Sequence, residues 1–118
     1  MGKGSLGKSF NYAIAGILYA LTRERNMRIH VLAACAAVAL GLYVDLSRME
    51  WGLLTITITL VIVIEMVNTA VEKTVDMMTG GKYHPLAKAA KNVAAGAVLL
   101  SAINALVMAY IIFVPHLR

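Results

Sequence analysis

Charge is what this chain has least of. Only 14% of its 118 residues are charged, and just six are acidic. Cysteine occurs once and proline twice. A lone Cys35 excludes an internal disulfide framework and any multi-cysteine zinc or iron–sulfur site. No internal repeat and no low-complexity tract is visible. Apolar residues fill the space instead, at 60% of the chain against roughly 45–50% in an ordinary soluble domain. The length suits one domain, but so few charges would not solubilise so small a core. The composition points to lipid. Eleven Lys and Arg against six acids leave a net charge of +5; nucleic acid is one reading of that excess, and the positions of the charges favour another.

Three apolar stretches organise the chain: 29–44, 51–71 and 93–114. The second is interrupted only by Glu65, and the third holds no ionisable group except Tyr110. A spanning helix needs ~20 residues at 1.5 Å each. The expected fold is therefore an all-α membrane protein whose helices 29–48, 50–78 and 85–115 contain three spans. Span one is short and alanine-rich. Lys3, Lys8, Arg23, Arg25 and Arg28 precede it, and Lys73, Lys82, Lys88 and Lys91 separate spans two and three. Only Arg48 and Arg118 fall at the other end, so the positive-inside rule predicts a cytoplasmic N-terminus and an outer C-terminus. That topology explains the basic excess without nucleic acid.

Leu6, Phe10, Ala13, Ile14, Ile17, Leu18 and Leu21 recur at helical spacing, predicting an amphipathic surface helix over 5–28. The turn at Asp45-Leu46-Ser47 is short, Thr79 to Lys82 reads as a flexible loop, and Pro85 opens the third helix. Ser101 and Asn104 are placed to bond between helices. Methionines such as Met27, Met66 and Met108 read as packing or lipid-facing residues, and His30 as an interface residue that is hydrogen-bonded or snorkels.

Two motif matches mislead. Gly2 to Ser9 fits the phosphate-binding P-loop letter for letter, yet no strand precedes it. Leu32-Ala33-Ala34-Cys35 resembles a lipoprotein cleavage box, but Arg23 to His30 stands where its apolar region belongs, and 1–44 has too long a basic region for a removable signal peptide.

The informative charges lie inside the membrane. Glu65, Asn68, Glu72 and Asp76 are spaced i, i+3, i+7 and i+11, within an arc of about 80° on one helical face. A carboxylate facing lipid at mid-membrane costs ~2.5–3.5 kcal/mol, so Glu65 is expected to face protein, water or a cation. One arrangement is a packing ladder paired with Lys88 or Lys91. Three carboxylates and an amide on one stripe suit a divalent cation better, magnesium above all, which binds through one or two carboxylates plus substrate phosphates. Glu24 lies at the same depth, and Lys88, Lys91 and Asn92 form a basic patch there. Metal ligands, positive charge and a membrane-embedded base are the parts of phosphoryl transfer to a lipid hydroxyl. A cation-coupled transporter would also keep Glu65, but would not need the surface cluster; a pore-forming or assembly protein would need neither.

Glu65-Met66-Val67-Asn68-Thr69-Ala70-Val71-Glu72-Lys73-Thr74-Val75-Asp76 resembles the signature of the prokaryotic diacylglycerol kinase family, small integral-membrane lipid kinases. So does Tyr83-His84-Pro85-Leu86-Ala87-Lys88-Ala89-Ala90-Lys91-Asn92, and with Glu24-Arg25-Asn26 the resemblance covers nearly the whole chain. Details such as His-Pro-Leu-Ala-Lys resemble the Gram-positive branch, which phosphorylates undecaprenol. The resemblance implies Glu65 as catalytic base beside the lipid alcohol, Glu24 and Glu72 as metal ligands, and Asn68 beside both phosphates and substrate. It further implies Lys91 on the transferring phosphate, Asp76 and His84 at the nucleotide, ATP and Mg2+ as requirements, and a homotrimer with shared sites. Asn92 departs from the pattern, because the family usually has aspartate there, and the loop at Gly80-Gly81 is one residue longer than in the diacylglycerol branch.

Overall fold

The computed structural model describes residues 5–118. Gly2 to Gly4, the first part of the P-loop look-alike, and Lys3, counted among the inner basic residues, lie outside the described residues. The described residues form four α-helices and a closing 3-10 turn: α1 Leu6–Arg23, α2 Arg25–Val44, α3 Arg48–Thr79, α4 Pro85–Phe113 and Val114–Leu117. No strand occurs among them. Helices α2, α3 and the continuous α4 segment are each long and apolar enough to cross a membrane.

Helix α1 is capped by Ser5, whose hydroxyl accepts from the Lys8 amide at 3.3 Å. It exposes Leu6, Phe10, Ile14 and Leu18, the apolar side the spacing predicted. The surface helix was expected to run to 28, and it ends at Arg23. Glu24 is extended (φ −113, ψ 115) and breaks the backbone, so Arg25 to Arg28 form the first turn of α2. Arg28 holds this corner, donating from Nη1 to the Leu21 and Thr22 carbonyls at 3.1 and 3.2 Å. Those carbonyls end α1 and lack helical partners, and a cation there also suits the helix dipole. Met27, 1% exposed, packs at the same corner.

At the far end of α2, Asp45 takes a left-handed conformation (φ 60) that caps the helix, a conformation Asp tolerates better than most residues. Ser47 then opens α3 with a capping box. Its hydroxyl accepts from the Glu50 amide, and the Glu50 carboxylate accepts from the Ser47 amide at 2.9 Å. Glu50 also meets His116 Nε2 at 2.9 Å, tying the start of α3 to the end of the chain. Leu46, Leu54, Ile112 and Phe113 form a buried core beneath. Gly41 is required here: an added Cβ would stand 2.8 Å from Leu46 Cδ1 and 2.9 Å from Trp51 Cη2.

Helix α3 has 32 residues, about 48 Å at 1.5 Å each, against a hydrocarbon core of ~30 Å. Its last three turns therefore project beyond the apolar stretch. Gly80 (φ 62) and Gly81 (φ 80) reverse the chain, and Pro85 opens α4 as expected. Ser101 was expected to bond between helices, but its hydroxyl donates to the Val98 carbonyl of its own helix at 2.8 Å. A nearby carbonyl one turn back is always within reach, so the local bond forms first.

Candidate active site

The polar stripe runs from inside the apolar stretch of α3 into its projecting end. Glu65 is 2% exposed, enclosed by the helices rather than turned to lipid. Asn68 donates from Nδ2 to Glu65 Oε2 and to Glu72 Oε1, both at 3.4 Å. These i, i+3 and i, i+4 bonds follow from helical spacing and hold the two carboxylates on either side of one amide. Among the described residues, two buried side-chain oxygens have no hydrogen-bond partner: Glu65 Oε1 and Asn68 Oδ1. A buried polar oxygen left without a hydrogen-bond partner costs ~1–3 kcal/mol, so the pair marks a place built to receive something.

Glu24, Arg25 and Asn26 from the α1–α2 corner and Glu65, Asn68 and Glu72 from α3 line one cavity of about 240 Å3. Glu24 reaches it because of the helix break. It occupies the N-cap position of α2 yet makes no side-chain capping bond, which leaves its carboxylate available to the cavity. The donor set fits magnesium in kind, being hard oxygen throughout. Among the described residues no three His, Cys, Asp or Glu side chains gather as a ready-made cage.

One turn further along α3 a second cavity opens, of about 320 Å3, between α3, the Gly81–His84 loop and α4. Asp76, His84, Lys91 and Asn92 all line it, with Lys82 and Lys88. Lys91 Nζ donates to Asp76 Oδ1. The sequence offered Lys88 or Lys91 as partners for the polar ladder, and Lys91 does pair with its last member, Asp76. Glu65 at the other end of the ladder lies beside His30, with Nε2 3.8 Å from Oε1. His84 caps α4, its Nδ1 accepting from the Leu86 amide at 3.1 Å. This fixes the ring at the cavity wall.

All eight expected site residues thus fall into two adjoining cavities, Glu24, Glu65, Asn68 and Glu72 in one and Asp76, His84, Lys91 and Asn92 in the other. Sequence reasoning passed over Arg25, Asn26 and Thr69, which line the first. It also missed the closeness of His30 to Glu65, because those residues lie 35 positions apart on different helices and no local spacing links them.

The model of the prokaryotic diacylglycerol kinase family matches residues 11–113. The chain is 44% identical over 110 residues to an undecaprenol kinase of Bacillus subtilis, covering 93% of this chain and 89% of that protein. It is 42% identical over 109 residues to a diacylglycerol kinase of Synechocystis, covering 92% of this chain and 62% of that one. To a diacylglycerol kinase of Escherichia coli it is 30% identical over 109 residues, with 92% and 88% covered. On matches of this extent, the chain belongs to the prokaryotic diacylglycerol kinase family.

Proposed function

We propose that this kinase transfers the γ-phosphoryl group of ATP to undecaprenol, making undecaprenyl phosphate at the cytoplasmic face of the bacterial plasma membrane. The observation that carries this reading is Glu65, a carboxylate 2% exposed with one unpartnered oxygen, set where an apolar span meets two polar cavities. A base that must deprotonate a lipid hydroxyl belongs at that depth, just below the headgroups. The similarity to a protein named undecaprenol kinase favours that acceptor over diacylglycerol.

Each polar residue then has a task. Glu65 accepts the hydroxyl proton as the alcohol oxygen bonds to the terminal phosphorus and ADP leaves. Asn68 holds the Glu65 and Glu72 carboxylates apart and faces both phosphate and substrate. Glu24 and Glu72 would hold Mg2+, which would supply neutralising charge to the phosphate oxygens. Lys91 exchanges Asp76 for phosphate, and Asp76, His84 and Asn92 meet the rest of the nucleotide. Eight of the ten basic residues among the described ones lie at this end, which orients it to the cytoplasm and the chain's C-terminus outward. The whole chain acts as one kinase domain, in a homotrimer with sites shared between neighbours and no role for nucleic acid.

The test is a side-by-side transfer assay in mixed micelles. Labelled γ-phosphate is followed into undecaprenol and diacylglycerol, with and without magnesium. Magnesium-dependent transfer mainly to undecaprenol supports the proposal. Transfer mainly to diacylglycerol keeps the chemistry and overturns the acceptor. Transfer to neither, also after Asn92→Asp, sinks it.

A further inference from the structure

A single residue, Glu24, joins α1 to α2. Its amide donates back to the Ala20 carbonyl at 3.0 Å and completes α1, while its carbonyl accepts from the Arg28 amide at 3.3 Å and starts α2. Only its two torsions, φ −113 and ψ 115, lie between the helices. The break releases the Leu21 and Thr22 carbonyls, which an uninterrupted helix would bond to the Arg25 and Asn26 amides. Arg28 Nη1 takes both, at 3.1 and 3.2 Å, and among the described residues no other side chain bonds across the joint. Ala20 and Met27 are buried beside it. Arg28 itself lines neither polar cavity, whereas Glu24 lines the first.

We propose that Arg28 is a positioning residue for the metal site: it locks this joint so that the Glu24 carboxylate enters the cavity shared with Glu72 and stays free of the chain's own cations. The inference rests on the function proposed above, in which Glu24 and Glu72 would hold the metal. Two states of the same segment explain it. Were the helix continuous through residue 24, Glu24 and Arg28 would stand one turn apart at i and i+4, with the acid N-terminal to the base. That is the favoured order for an ion pair on a helix, and the pair would neutralise the carboxylate. In the bent joint Arg28 turns instead to the end of α1, where two carbonyls without helical partners and the negative end of the helix dipole attract it. Among the described residues Glu24 is left without an ion pair and without a side-chain capping bond.

The two carboxylates are held with unequal firmness, and that is why a tie matters. Glu72 sits within the long, continuous α3, so its backbone is fixed by helical bonds on both sides. Glu24 sits on extended backbone, a region of broad torsional freedom. Magnesium demands near-ideal octahedral geometry and tolerates little displacement of its ligands. The Arg28 bonds narrow the freedom of the joint to one bend and so set where the Glu24 oxygens stand. Because the two carbonyls lie at an exposed helix end, water can replace Arg28 as their partner. Removing Arg28 therefore costs the joint its definition more than it costs the fold its stability.

The experiment uses the full-length protein in mixed micelles, with Mn2+ as the metal probe and a non-hydrolysable ATP analogue, and follows Mn2+ binding by electron paramagnetic resonance. Arg28→Ala is expected to weaken Mn2+ binding about tenfold or more, at a thermal melt close to that of the parent. Arg28→Lys, which keeps a cationic donor for the α1 carbonyls, recovers most of the affinity. In transfer assays the magnesium needed for half-maximal rate rises by a similar factor in Arg28→Ala, and saturating magnesium restores kcat with an unchanged KM for the lipid alcohol. If Arg28 acts through Glu24, the two effects are not additive: Glu24→Gln alone and Glu24→Gln combined with Arg28→Ala bind Mn2+ equally weakly. Arg28→Gln takes the place of Arg28→Ala in this cycle should the alanine variant not fold. Unchanged Mn2+ binding in Arg28→Ala, equal losses in the alanine and lysine variants, or additive losses in the cycle overturn the proposal. So does a change confined to KM for the lipid alcohol, which would put Arg28 on the acceptor. Mn2+ binding requires no turnover, so an affinity that depends on Arg28 without kinase activity would refute the function alone. Magnesium-dependent transfer indifferent to Arg28 would refute the positioning role alone.

Discussion

The two ends of the helical bundle are built on opposite rules. At the closed end, around the Asp45–Ser47 turn, polar groups find partners close by. Ser47 and Glu50 cap one another, Glu50 meets His116, and Gly41 lets Trp51 pack against α2 above the Leu46–Phe113 core. At the polar end, Glu65 and Asn68 each keep a buried oxygen without a partner, three carboxylates stand on one helical stripe with Glu24 beside them, and two cavities open. An arrangement that satisfies itself contributes stability. One that leaves charges unpaired gives up stability and keeps its hydrogen-bonding capacity for a ligand. The bundle is held at one end and works at the other.

Substitutions at the two ends should therefore separate activity from stability. The largest effect is expected at Glu65. Glu65→Gln removes the proposed base and should lower transfer about 10²–10⁴-fold, while the melt in detergent holds, because Gln keeps the size of the side chain and an oxygen for the Asn68 amide. A matching fall in melting temperature would mean that Glu65 is structural and would undo the contrast. Next come the metal ligands: chelation should abolish transfer, and Glu72→Gln should raise the magnesium needed for half-maximal rate. An unchanged magnesium dependence would remove Glu72 from the metal site.

At the closed end the expected order reverses. Gly41→Val places atoms 2.8–2.9 Å from Leu46 and Trp51 and should cost ~1–3 kcal/mol of stability, read as a lower melt with kcat per folded molecule unchanged. Ser47→Ala removes half of the capping box and should cost about 1 kcal/mol, again without a kinetic effect. A fall in kcat from either variant would show that the ends are coupled. The smallest effect is expected from Asn92→Asp, which restores the carboxylate common in the family beside Lys91; KM for ATP should fall by less than about tenfold, at an unchanged melt.

Much of this contrast could be read in advance, for identifiable reasons. The stripe of Glu65, Asn68, Glu72 and Asp76 lies on one continuous helix, so spacing alone put those residues on one face. Length and hydropathy marked the three spans, and Pro85 and Ser47 announced helix starts through local chemistry. The end of α1 was misplaced by five residues because the apolar periodicity fades without a proline or glycine to stop it. Glu24 makes that break through its backbone conformation, which composition does not encode.

What the sequence determined by itself, then, is whatever depends on neighbours along the chain: the spans, the caps, the carboxylate stripe and the family motif. The tertiary structure decided which helices meet. It set His30 beside Glu65 and brought Lys91 to Asp76. Those outcomes follow from how helices pack across 15 to 35 residues of intervening chain. The packing is governed by side-chain size and shape at the contact, and in lipid no hydrophobic gradient ranks one apolar face above another.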